Sequence, residues 1–138
     1  MKKLEAYFLL MRVVIEKIVI HQDLRGAVFE PITADALAAQ RNVHVVLTES
    51  GGVRGNHRHR FGTEVVTVYG PALVRLRDGE EIEDRIVAEG KAVRFTIPAG
   101  VSHAFKNIGK RRNLLICFNT EAHDEGNPDV VHDVLIEC

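Results

Sequence analysis

Along this chain, apolar residues recur at every second position in short runs, and Gly, Pro, Asn and Asp separate one run from the next. That is the period of a strand with one buried face. Residues 12–20 make the first run, and 42–48 (NVHVVLT), 63–69, 72–77 and 91–97 follow. Within 72–77, Val74 and Leu76 take the inner face and Arg75 and Arg77 the outer one. Within 91–97, Val93, Phe95 and Ile97 alternate with Arg94 and Thr96 in the same way. Asp78-Gly79 predicts a hairpin turn into 81–87. Residues 114–118 read as a buried strand, and 130–136 as a last strand or a short helix. The one alanine-rich stretch, 33–40 (TADALAAQ), predicts a short helical turn capped by Thr33 or Asp35. About ten short strands with frequent turn signals and no sustained helical period predict an all-β, single-domain barrel or jelly roll. Residues 12–138 are assigned to that domain, and 1–11 to an N-terminal extension that is either loose or an added strand.

Composition narrows this little. At 138 residues and 15.4 kDa one core is expected. A formal net charge of -1 gives no electrostatic reason to expect nucleic acid or an anionic membrane as partner. Cys117 lies in an apolar run and Cys138 is terminal, so no disulfide framework is expected and a reducing cytoplasm is the expected compartment. Met1-Lys2-Lys3 followed by the apolar residues 7–11 imitates a signal peptide, but the run is too short and Arg12 and Glu16 break it.

The chemistry concentrates in residues 51–70 (GGVRGNHRHRFGTEVVTVYG). His57 and His59, two apart on a strand, turn to one face. Glu64 follows after a gap containing Gly62, which predicts a tight turn into a return strand with Glu64, Val66 and Val68 on one side. A third histidine, His103, lies in a second segment, 98–107 (PAGVSHAFKN). Three imidazoles and a carboxylate suit a divalent zinc, iron, manganese, nickel or cobalt ion with positions open to water or substrate. His21, His44, His123 and His132 have no comparable frame and are expected to be surface or hydrogen-bonded residues.

These two segments resemble the paired motifs of the cupin superfamily. Gly51, His57, His59, Glu64 and Gly70 follow the first motif, with one residue fewer before the last glycine. Pro98, Gly100, His103 and Asn107 follow the second, with Gly90 two residues upstream of the usual place. The resemblance implies a small β-barrel with His57, His59, Glu64 and His103 as metal ligands. A narrower resemblance, carried by Asp23-x-Arg25-Gly26-x-x-Phe29-Glu30 and then Val53-Arg54-Gly55-x-His57, is to the sugar-nucleotide cupins. These include 3,5-epimerases, 3,4-ketoisomerases and the C-terminal cupin of capsular polysaccharide reductases.

It implies an epimerase or isomerase of nucleotide-linked 4-keto sugars in polysaccharide or deoxysugar synthesis. Arg25, Glu30 and Arg54 would be on the substrate, and Tyr69 would be the candidate aromatic acid. In the epimerases the residue matching His57 is a general base, and in the ketoisomerases the residues matching His57 and His59 both move protons without a metal, a role that a metal-bound imidazole cannot fill. Because Glu64 and His103 complete a ligand set, the metal reading is preferred here. An iron(II) dioxygenase and a non-catalytic sugar- or metabolite-binding cupin are the alternatives. A homodimer is expected, paired through edge strands, with residues 12–20 a candidate to cross to a neighbour.

Overall fold

The computed structural model describes residues 7–138, so the first six residues of the expected N-terminal extension lie outside it. The chain runs β1 (Tyr7–Leu10), β2 (Val13–Ile18), β3 (His21–Asp23), β4 (Gly26–Val28), α1 (Ala34–Leu37), β5 (Asn42–Thr48), β6 (Val53–His59) and β7 (Glu64–Tyr69). It continues through β8 (Ala72–Asp78), β9 (Glu81–Val87), β10 (Ala92–Ile97), β11 (Ser102–Asn107), β12 (Asn113–Asn119) and β13 (Val130–His132). The alternating runs thus form strands. In α1, a single helical turn, it is Thr33 that caps, its hydroxyl oxygen accepting from the Ala36 amide at 3.2 Å.

The strands form two antiparallel sheets and a small hairpin. One sheet has the order β1-β2-β10-β7-β12-β5, the other β13-β6-β11-β8-β9, and β3 pairs only with β4. Their inner faces meet in one core. Val13, Ile15, Val66, Val68, Phe95, Ile97, Leu115 and Cys117 come from the first sheet, and Val74, Leu76 and Phe105 from the second. Phe95 and Phe105 join edge to face across it, ring centroids 6.5 Å apart. Cys117 is buried there as a free thiol, and burial pushes its pKa up. On the outer face of the first sheet, Ile32 covers Val65 and Phe118, and the Thr67 hydroxyl donates to the Pro31 carbonyl at 2.6 Å.

Two expectations need correction. The gap between His59 and Glu64 is no hairpin, because β6 and β7 belong to different sheets and residues 60–63 carry the chain across the barrel. The strand at 12–20, a candidate to cross to a neighbour, lies inside the chain's own sheet. β2 sits between β1 and β10, so the edges of its sheet are β1 and β5.

Candidate metal centre

The crossing between sheets decides where the polar cluster forms. His57 and His59 lie on β6 and His103 on β11, adjacent in the five-stranded sheet, with His103 opposite His57 in register. Glu64 starts β7 in the facing sheet. Its side chain points inward with Val66 and Val68, as the strand period requires. One donor atom from each of the four residues lies within 4.8 Å of those of the others. The His57 ring centroid is 4.8 Å from that of His103 and 5.1 Å from that of His59.

A bulge sets the histidines inward. Arg54 is opposite Phe105 and Gly55 opposite Ala104, yet His57 is opposite His103, so Asn56 is an extra residue on β6. Gly55 and Asn56 both have left-handed φ, +85° and +57°. A one-residue insertion reverses which side chains face the core. Without it, 56 and 58 would point where 57 and 59 now do. Asn56 is held there by the chain's end: its side-chain oxygen accepts from the amides of Leu135 (2.8 Å) and Ile136 (3.0 Å).

The cluster's hydrogen bonding leaves it incomplete in a specific way. The Nδ1–H of His103 donates to the Val101 carbonyl at 3.1 Å, which puts its lone pair on Nε2. The Nε2 atoms of His103 and His59 are buried and make no hydrogen bond, although Glu64 oxygens stand 2.9 and 3.4 Å away. Two buried acceptor-capable nitrogens and a carboxylate facing a common point fit a divalent cation. Burial, and then the neighbouring His103, push His57 down to about 4, so it is neutral at pH 7 as a ligand must be. Burial is also the largest influence on His59 and lowers it, but Glu64 and Asp129 outweigh that and raise it above its ordinary value. At Glu64 burial works toward a higher value, yet the imidazoles of His103 and His59 together hold it well below the usual carboxylate range.

A cavity of about 260 Å³ opens over His57, His59 and Glu64. His44 and Asn42 of β5 and residues of the 119–130 segment form its walls. No arginine or lysine is among its lining residues. His44 and His123, both set aside in the sequence, are at this cavity, and Asp129, for which the sequence held no role, lies beside His59 with Oδ2 3.6 Å from Nδ1. The signal available for His44 was its position in the strand 42–48, where 42, 44, 46 and 48 share a face.

The other sequence candidates are elsewhere. Arg25 is on the exposed β3–β4 hairpin, paired with Asp23 at 2.5 Å. Glu30 borders a separate surface cavity with Lys17, Phe29 and Arg94. Arg54 is exposed, one guanidinium nitrogen 3.4 Å from the Leu47 carbonyl. Tyr69 does not join the cluster. It ends β7, five residues from Glu64 and on the opposite face, stacked on Phe29 with ring centroids 5.9 Å apart. There it lines a cavity of about 690 Å³ with Pro71, Lys110 and Arg111.

Two antiparallel sheets enclosing three inward histidines and a glutamate make a cupin barrel. Residues 21–131 match the family model described as the polysaccharide biosynthesis C-terminal domain, and the chain belongs to that family. Among solved structures it is similar to the capsular polysaccharide assembling protein CapF from Staphylococcus aureus, at 28% identity and TM-score 0.64. That match covers 86% of this chain and 33% of CapF, so the chain spans about a third of that protein's length. QdtA, a sugar 3,4-ketoisomerase from Thermoanaerobacterium thermosaccharolyticum solved with TDP, matches at 20% identity and TM-score 0.69 over 90% of both chains. ChmJ, a 3'-monoepimerase from Streptomyces bikiniensis solved with dTDP-quinovose, matches at 17% identity and TM-score 0.68 over 83% of this chain and 66% of its own. At those identities QdtA and ChmJ show the fold alone. No curated protein matches the chain in sequence.

Proposed function

We propose that this domain binds a divalent metal through His57, His59, Glu64 and His103 and epimerises or isomerises a nucleotide-linked 4-keto sugar for polysaccharide synthesis. The observation that carries the reading is the pair of buried, unbonded Nε2 atoms on His59 and His103, facing Glu64 beneath an open cavity. The family's place in polysaccharide biosynthesis and the nucleotide-bound neighbours support the substrate class.

Moving a stereocentre or a carbonyl beside a ketone starts with removal of the proton on the adjacent carbon. A divalent ion, when bound, supplies a Lewis acid for the carbonyl oxygen. The imidazoles that hold it have no lone pair left for a proton, so the base is another group. His44 fits that role: it is on the side of β5 that faces the cavity, is exposed to solvent there and makes no hydrogen bond or ion pair among the described residues. Asp129 already accepts two backbone amides, and His123 lies on a loop with its Nε2 4.0 Å from Glu125. At about 260 Å³ the cavity is below the roughly 300–1,000 Å³ of sites for drug-sized ligands, a size that suits a sugar with its nucleotide outside.

The test is solvent exchange. Metal-loaded protein incubated with TDP-4-keto-6-deoxyglucose in deuterium oxide is expected to place deuterium on a carbon flanking the ketone, and chelator-stripped protein is not. His44→Gln is expected to keep its metal and lose exchange by about 100-fold or more. Wild-type protein that incorporates no deuterium at either flanking carbon rules out the activity for that substrate.

A further inference from the structure

The segment 120–129 leaves β12, lies along the cavity and ends at Asp129, which meets four groups at once. Its Oδ1 accepts from the Phe61 amide and its Oδ2 from the Gly62 amide, both at 2.9 Å, and its carbonyl accepts from Arg60 at 2.8 Å. These are the residues that carry the chain from the strand of His59 to the strand of Glu64. Gly62 has no room for a side chain: a Cβ there would be 2.2 Å from the Asn119 Oδ1 and 3.0 Å from the Asp129 Oδ2. The fourth group is His59 itself, whose Nδ1 is 3.6 Å from Asp129 Oδ2.

A second side chain reaches the same nitrogen. Asn119 Nδ2 is 3.5 Å from His59 Nδ1. The orientation of that amide is fixed, because its oxygen accepts from the Glu121 amide at 2.8 Å. His59 Nδ1 therefore sits between a group that can only donate and a group that can only accept. The two demand opposite tautomers. If Nδ1 accepts from Asn119, the neutral ring carries its proton on Nε2, which then faces Glu64 and cannot ligate. If Nδ1–H donates to Asp129, the Nε2 lone pair is free for a metal. His103 has no such choice, since Val101 offers only an acceptor.

We propose that Asp129 is the positioning residue of the metal centre. It accepts from the Nδ1–H of His59 against the competing Asn119 donor, leaves the Nε2 lone pair as the ligand, and so ties metal affinity to the docking of 120–129 over the cavity. This rests on the metal reading above, but not on any particular substrate.

Zinc affinity measured by competition with a chromogenic chelator tests it. Asp129→Asn keeps the size and one acceptor oxygen and is expected to weaken zinc binding by about 10- to 100-fold. Glu125→Gln, a change to a side chain 92% exposed on the same segment, is expected to bind as the wild type does. Long-range 15N–1H correlation spectra of the zinc-loaded wild type, which need no variant, are expected to show the His59 proton on Nδ1. A wild type with tight zinc and an Asp129→Asn variant of equal affinity overturns the proposal. So does a spectrum with the His59 proton on Nε2, even if the variant fails to fold. Wild-type protein that takes up no zinc overturns the metal reading itself.

Discussion

At the scale of single residues the cluster carries a pH signature. His57 titrates near 6.5 in an unfolded chain and about 4 in the fold, where burial and His103 oppose its protonation. As pH falls from 6.5 to about 4, the unfolded chain takes up a proton that the folded chain does not, so His57 costs the metal-free protein stability in that window. His59 runs the other way. Its value is raised in the fold, so its contribution is complete below 6.5 and is lost as pH rises through the folded value. Because the two oppose each other, the difference between proteins is the measurement. His57→Gln without metal is expected to lose less melting temperature between pH 7 and pH 4 than the wild type does, and equal losses would contradict the burial argument.

The four residues of the cluster were legible through the resemblance to the paired cupin motifs, and spacing alone showed that His57 and His59 share a face. Asp129 and the cavity's His44 were not, because their proximity follows from how the 120–129 segment folds and how β5 sits at the sheet edge. The place of Tyr69 was legible in principle: the alternation that turns Glu64, Val66 and Val68 inward turns Val65, Thr67 and Tyr69 outward.

Among the elements, β6 is the one the site depends on, and its bulge is the device that does it. Alternation could be read along β7, β8 and β10 because those strands are regular. It could not be continued from Arg54 to His57, where the extra residue breaks the count. His57 and His59 share a face for the reason the sequence suggested, but which face is decided upstream, at Gly55 and Asn56. A Cβ on Gly55 would stand 2.7 Å from the His103 carbonyl oxygen, and φ there is +85°. Gly55→Ala must either distort the left-handed turn or push β6 away from β11, the strand that holds the third histidine. The expected cost is about 1–3 kcal/mol of stability, read as a lower denaturant midpoint, together with weaker metal binding. A variant as stable as the wild type with unchanged zinc affinity would show that the bulge is not what aligns the ligands.

For the whole molecule, a nucleotide-linked sugar bound at the cluster would need cations for its diphosphate. The cavity over the cluster has histidines and acidic groups around it and no arginine or lysine. Arg25 and Glu30, which the resemblance to sugar-nucleotide cupins assigns to substrate, belong to or follow a hairpin that pairs with no other strand and whose Leu24 is fully exposed. Neither residue lines the cavity over the cluster, which suits a hairpin that serves the cavity of a second copy. The edge strand β5, whose inner face carries His44, leaves Val43, Val45 and Leu47 more than half exposed on its outer face. Such an apolar row on an open edge suits burial against another chain. The expected state is therefore a homodimer, read by light scattering as twice the 15.4 kDa of the chain. Val45→Lys places a charge in the middle of the exposed row and is expected to shift the mass to that of one chain. A wild type that is already monomeric at the concentrations used for the exchange assay would remove the second copy from this account of Arg25. The cation for the diphosphate must then be sought within a single barrel, at Arg54 or Arg60.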